Sequence, residues 1–437
     1  MNENLKQKIK RNKKKIIISL LLAVALAGVF VLGYFVHFWT MPPSLRELYE
    51  VFGVADGHYD GDVNVDDTQL IKGVVNEVFD EYSEYYSQEE YQTIAQNARG
   101  NYAGVGVSFL KATASDENEF NRVYKVTGNS PAEKAGILSG DKIVSGAKSG
   151  QSLTAFTSRT QLTAFLTALE IGDAFVLSVT REGEFTQKQF ELVKSEYQVS
   201  YVKYYDSEKA LNFFAEGLSK PQREEGVNDG AISGLNQKTA YVSLTSFEGN
   251  CAEQLGECLD YMGERGRDTL ILDLRDNGGG YMTVLQDVAS YLIKDGQNKT
   301  AVIAYAKNKQ GKFTEYKSSE CKYRAHVKKI IVLANENTAS ASECLITAML
   351  HYGSGQFSLE NLVITKGQNG VARTFGKGVM QTTYRLSSGA ALKITTAHLY
   401  LPDRTTCING KGVVVSGANG VSGNANALAR AISLANA

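Results

Sequence analysis

The sequence predicts a multidomain protein of the α/β (α+β) class, with a single transmembrane helix, a helical region, a small β-rich unit and a layered βα core. Three observations predict it. Ile16–Trp39 is a run of 24 residues without Asp, Glu, Lys or Arg. From Gly100 the texture changes to short β-type runs. Beyond residue 235, apolar strand candidates alternate with amphipathic helix candidates, as in a βα layered domain. A chain of 437 residues also exceeds what one ordinary hydrophobic core serves.

Taken in order, residues 1–15 form a basic tail with seven cationic residues against one acidic, Glu3. The uncharged run at 16–39 is long enough to cross about 30 Å of hydrocarbon. The cluster before it should stay cytoplasmic, which makes 16–39 a single-pass signal anchor and places the body outside the cell membrane. Ala25-Leu26-Ala27 resembles a signal cleavage site, but the apolar run continues for 12 residues beyond it, which favours an uncleaved anchor. The rest of the chain carries a net charge of −7 without a basic stripe, which argues against nucleic acid as a partner.

Residues 40–98 read as the helical region. Leu45, Leu48, Val51 and Phe52 share one helical face, and a second helix fits Thr68–Tyr82 with Asp66 or Asp67 as cap. The tyrosines of Tyr82–Tyr91 read as a half-buried packing surface. Residues 99–195 make the β-rich unit, and 196–235 a mixed connector within the 196–437 core. Core strands are expected at Ala240–Leu244, Thr269–Leu274, Ala301–Ala306, Ile330–Ala334, Leu362–Thr365 and Ala391–Thr395. Helices are expected at Ala252–Arg265, Met282–Ile293, Ser342–Tyr352 and Asn424–Ala435. Five cysteines, with Cys251 and Cys258 too far apart on one helix to pair, call for no disulfide framework.

In the β-rich unit, Gly104-Val105-Gly106-Val107 leaves backbone N–H groups uncovered before a strand, where a peptide carboxylate can be captured. With Ser130-Pro131-Ala132 and Gly140-Asp141 following in order, residues 99–195 resemble a PDZ domain. The resemblance implies binding of protein C-terminal tails. Ser145-Gly146-Ala147 departs from the usual Val-Asn-Gly type of turn.

Three stretches of the core bear on chemistry. Asn337-Thr338-Ala339-Ser340-Ala341-Ser342-Glu343 joins a buried strand to a buried helix and presents hydroxyls at the helix N-terminus. Taken alone it reads first as a helix cap and less often as the seat of a serine nucleophile, with Ser342 the better cap candidate. Asp273 to Gly280 ends a strand in three glycines and lacks the Gly-Lys-Ser/Thr ending of a phosphate loop. Thr374-Phe375-Gly376-Lys377-Gly378-Val379-Met380-Gln381 offers a lysine in an apolar context, with Gln381 on the same side if the segment is extended. Paired carboxylates and metal spacings are absent, so neither metal nor cofactor is expected.

These motifs in this order, with Tyr241–Phe247, Leu392–Ala397 and Gly410-Lys411-Gly412, resemble the carboxyl-terminal processing (tail-specific) serine proteases of the S41 type. The resemblance implies a crotonase-like core with Ser340 as nucleophile, Lys377 as base and Gln381 orienting it. It implies an oxyanion hole from the N–H groups of Gly279 and Ala341, and protein substrates held by their tails. Thr338 replaces a serine of the motif, and the connection from Gly353 to Thr374 is longer than usual. Two rival readings stay open: an inert tail-binding scaffold, and a hydrolase using Ser340 with His351 or His398 as base. A second copy of the chain also remains open as a partner.

Overall fold

The computed structural model describes residues 28, 29, 32, 36, 40–58, 66–97, 101–109, 119–216, 220–225, 231–294, 300–320, 322–352 and 356–437. The expected basic tail and nearly all of the expected membrane anchor lie outside them, as does Cys321. Among the described residues no helix is long and apolar enough to cross a membrane. The chain divides into two compact units, Met1–Gly73 and Val74–Ala437. The first holds helix α1 (Pro43–His58) and the start of α2 (Asp67–Val78), whose first turn is capped by Asp66 Oδ1 accepting from Thr68 and Gln69.

The second unit is built on a mixed sheet in the order β12-β11-β10-β13-β14-β17-β18-β21. Strands β13 (Thr239–Leu244), β14 (Thr269–Asp273), β17 (Lys329–Ala334), β18 (Leu362–Thr365) and β21 (Gly420–Val421) run parallel, joined by right-length crossovers. In β14, β17 and β18 the side chains, apart from Lys329 at the start of β17, are buried on both faces, which is why these strands read as apolar runs. One face packs helices α6 (Cys251–Glu264), α7 (Met282–Leu292) and α8 (Ala341–Tyr352), the other the closing helix α9 (Asn424–Asn436). The buried thiols of Cys251, Cys258 and Cys344 fill this core as small apolar groups.

Three antiparallel strands, β10 (Val202–Tyr205), β11 (Ala210–Glu216) and β12 (Lys220–Glu225), extend this sheet where only a connector was expected. Their charged residues break the apolar alternation, and pairing with β13 supplies what local pattern does not. A second sheet, β1-β20-β15-β16 with β19 on β20, carries the lysine segment. It comprises β1 (Glu84–Tyr86), β15 (Val302–Asn308), β16 (Phe313–Lys317), β19 (Val379–Arg385) and β20 (Ala391–Tyr400). Strand β1 falls within the region expected to be helical, with Tyr85 buried against Val75 and Ala390.

The β-rich unit has its own core, including Val123, Ile137, Ile143, Leu162, Phe175 and Leu177. Strand β2 (Asn101–Gly104) pairs with β9 (Ser195–Gln198), and β3 (Val107–Phe109) with β4 (Val123–Val126). A four-stranded sheet completes it, in the order β6 (Thr154–Ala155), β5 (Lys142–Lys148), β7 (Ala174–Thr180) and β8 (Lys188–Val193). The Ser130–Asp141 motif has a physical basis here. Ser130 Oγ caps the short Pro131–Ala135 helix, and Asp141 makes a two-point ion pair with Arg181 at 2.7 and 2.8 Å. The departing Gly146 is packed where an added Cβ would meet Leu177, Phe156 and Phe165 at 3.0 Å.

Candidate active site

The Ser340 turn is held by its neighbours in the sheet. Asn335 and Asn337 both donate to Asp276 Oδ1 at 2.8 Å, and Thr338 Oγ1 donates to Leu274 O at 2.8 Å. Asn277 bridges outward, donating to Leu244 O and accepting at its carbonyl from Ala339 N–H and Ser342 Oγ. Ser342 is therefore spent on Asn277 rather than capping the helix, which corrects the expectation. The cap comes from Glu343, whose Oε2 accepts from Ser340 N–H at 2.9 Å, one half of a capping box.

The other half is missing. Ser340 Oγ makes no hydrogen bond among the described residues, and Ser340 is half-buried with a left-handed φ of 57°. A free hydroxyl thus stands at the N-terminus of α8, where exposed backbone donors and the helix dipole favour negative charge. Among the described residues the neighbouring Ala341 N–H has no acceptor either. Gly279 abuts the turn: a Cβ there would come within 2.9 Å of Ala339 O, Ala341 N and Ser340 Cβ, at a φ of +100°. Only glycine meets both conditions. Its own N–H, expected as an oxyanion donor, donates to Asn277 Oδ1 at 2.9 Å, while among the described residues the N–H of the adjacent Gly278 has no acceptor.

Glu343 is the residue that sequence reasoning passed over. It is fully buried and joins the two halves of the site. Oε1 accepts from Thr374 Oγ1 at 2.5 Å and Gly376 N–H at 2.7 Å; Oε2 accepts from Lys377 N–H at 3.0 Å as well as from Ser340. Burial pushes this carboxyl above the usual range, and the hydrogen bonds from Thr374, Gly376, Ser340 and Lys377 pull against that. The motif's terminal Glu three residues after a candidate nucleophile was the available signal.

The lysine segment is docked on residues 408–413. Gly376 O accepts from Gly410 N–H, and Thr374 N–H donates to Val413 O. An added Cβ at Gly378 would meet Asn409 N at 2.2 Å. Lys377 is largely buried, and burial together with the like charge of Lys393 lowers its ammonium below an ordinary lysine, against the pull of Asp80 and Glu81. No hydrogen bond among the described residues joins Lys377 Nζ to Ser340 Oγ; Nζ lies 4.7 Å from the centroid of the Tyr82 ring. Gln381 Nε2 donates to Thr395 Oγ1 at 3.1 Å rather than to the amine. The expected extended alternation does not reach Lys377, because Gly376 is left-handed and β19 begins only at Val379.

His351 lies in the last turn of α8, on the order of 16 Å from Ser340 by helical rise, and meets Tyr352 edge-on. His398 is exposed on β20. The Gly104–Val107 loop is fastened by its carbonyls, Val105 O to Ala132 N–H and Gly106 O to Thr127 N–H. Among the described residues the N–H groups of Val105 and Gly106 have no acceptor. No metal-binding cluster of His, Cys, Asp and Glu occurs among the described residues.

Residues 238–415, which hold this whole constellation, match peptidase family S41. A probable CtpA-like serine protease of Staphylococcus aureus is 26% identical over 374 residues, covering 85% of this chain and 64% of its own length. The corresponding protein of Staphylococcus epidermidis is 26% identical over 343 residues, covering 78% and 58%. The chain thus spans somewhat under two thirds of the length of these relatives. A photosystem II D1 C-terminal processing protease of known structure aligns with a TM-score of 0.49 and 20% identity, covering 87% of this chain and 86% of its own. Over residues 238–415 the chain is thus similar to peptidase family S41, and over most of its length to CtpA-like serine proteases.

Proposed function

We propose that this protein is a membrane-anchored extracytoplasmic serine endopeptidase that cleaves proteins near apolar or unstructured C-terminal tails. In this reading the S41 domain is a crotonase-like core using a Ser340–Lys377 dyad. The observation that carries it is the Glu343 carboxylate, which binds Ser340 N–H and Lys377 N–H on the same oxygen while leaving Ser340 Oγ free. A neutral Lys377 amine takes the proton of Ser340 Oγ as the oxygen attacks the scissile carbonyl. Ala341 N–H, with Gly278 N–H or a Gly279 N–H released from Asn277, stabilises the oxyanion. Lys377 returns the proton to the leaving amine, and water resolves the acyl-enzyme through the same base. Gln381 orients the amine once Lys377 turns toward Ser340.

Residues 99–195 act as a PDZ-type tail receptor, with the open N–H groups of Val105 and Gly106 meeting the terminal carboxylate. The uncharged segment 16–39 anchors the chain, with the body outside. In the test, full-length protein in detergent is mixed with a substrate bearing an apolar tail. Ser340→Ala and Lys377→Ala should each slow cleavage by about 10³-fold or more. Parent-like cleavage by either variant rules the dyad out. The unmade Ser340–Lys377 contact favours one second reading, an inert tail-binding scaffold. That reading expects tail binding with no labelling of Ser340 by an active-site serine reagent.

A further inference from the structure

We propose that Tyr82 is a positioning residue that latches the protonated Lys377 side chain away from Ser340 in the resting protein. This rests on the Ser–Lys reading above. Three observations carry it. The Lys377 ammonium sits 4.7 Å from the Tyr82 ring centroid, within cation–π range, and makes no hydrogen bond to Ser340 or Gln381. Gln381, the residue that would orient the amine, is committed to Thr395. The turn that carries Tyr82 is held on both sides. Ser83 N–H and Oγ bond to Asp80 O and Oδ1, and β1 pairs with β20 from Glu84↔Lys393 to Tyr86↔Ala391.

The chemistry gives the contact a direction. A ring quadrupole attracts a cation and has little hold on a neutral amine, so the contact favours the protonated lysine. Burial and hydrogen bonding to Glu81 hold the Tyr82 phenol up at about 12, so the ring stays neutral through the working range. A general base needs the opposite state, a neutral amine turned toward Ser340 Oγ. Lys393, which faces Lys377 from β20, opposes protonation; Asp80 and Glu81 on the Tyr82 turn favour it. Lys393 is itself tied to Glu84 at 3.1 Å and lies 5.4 Å from the Tyr86 ring, so the same segment steadies both lysines.

The test compares Tyr82→Leu and Tyr82→Met, which keep apolar bulk, with Tyr82→Phe, which keeps the π face, all in the full chain. The readouts are the labelling midpoint of Lys377 by competitive amine acylation with mass spectrometry, and the pH profile of kcat/KM on a tailed substrate. In the Leu and Met variants the labelling midpoint and the acid limb should fall by roughly 0.4 to 1.5 pH units, with a roughly 2- to 30-fold gain in cleavage on that limb. The Phe variant should match the parent. Equal behaviour of Phe, Leu and Met, or an upward shift in the latter two, overturns the latch. The labelling arm decides this without catalysis, so cleavage by Ser340→Ala would sink the dyad reading separately.

Discussion

Glu343 shows how one buried carboxylate can set the geometry of a site without touching a substrate. Its two oxygens accept four hydrogen bonds from groups up to 34 residues away in the chain. Glu343→Gln keeps the volume but aims an amide NH₂ at two of those donors. It should cost about 2–4 kcal/mol of stability and most of the cleavage activity, read by thermal melting and by kcat. Lys377 makes the opposite point about stability. Its folded-state pKa is lowered below 10.5, so its contribution is full above the unfolded value and is lost as pH falls through the folded one. At neutral pH its charge opposes folding. Lys377→Met should therefore abolish cleavage yet stabilise the fold by about 0.5–2 kcal/mol, and a lowered melting temperature would count against burial as the cause. Gly279→Ala should cost about 2–4 kcal/mol, because the methyl group meets the Ser340 turn in a left-handed backbone.

At the scale of elements, the site forms where three connections converge. These are the loop after β14, the turn from β17 into α8, and the segment leading into β19. Parallel pairing of β14 with β17, in the register Thr269↔Lys329 to Asp273↔Leu333, brings the triple-glycine turn beside Ser340. Docking of Gly376–Gly378 on residues 408–412 then sets the lysine against both. Gly378→Ala tests that docking. Its methyl group collides with Asn409 backbone, so the lysine segment should detach while the parallel sheet persists. The expected result is retained circular dichroism, lost cleavage and a Lys377 labelling midpoint shifted up toward a solvated amine. The strands of this core were legible because double-sided burial writes them as apolar runs. Strands β10, β11 and β12 were not, because their stability comes from pairing and not from their own pattern.

At the scale of the second unit, the β-rich part and the core are joined by polar links as well as packing. Lys125 Nζ on β4 donates to Thr245 O at 3.1 Å, two residues before Phe247, whose N–H bonds Gly279 O. Asn129 Nδ2 donates to Gln198 O at 2.8 Å, and Lys203 pairs with Glu133. Burial pushes the Lys125 ammonium down, against the opposing pull of Glu248 and Asp276. Lys125→Met should leave both cores folded but raise hydrogen exchange at 123–126 and 244–247, the elements the link joins. Unchanged exchange there would show that the ammonium carries no part of the connection.

The sequence by itself determined most of the core elements and the motifs by which the chain resembles an S41 protease, among them the Ser340 turn and the lysine segment. It could do so because buried strands, glycine turns and helix starts each leave a local signature. Only the tertiary structure decided how those residues meet. It spent Ser342 on the Asn277 carbonyl, committed Gly279 N–H to the Asn277 side chain, made Glu343 the joint between two distant segments and laid Lys377 on Tyr82. All but the Gly279–Asn277 bond join residues far apart in the chain. Such contacts are selected by packing and by competition for donors, and a linear pattern does not encode that competition.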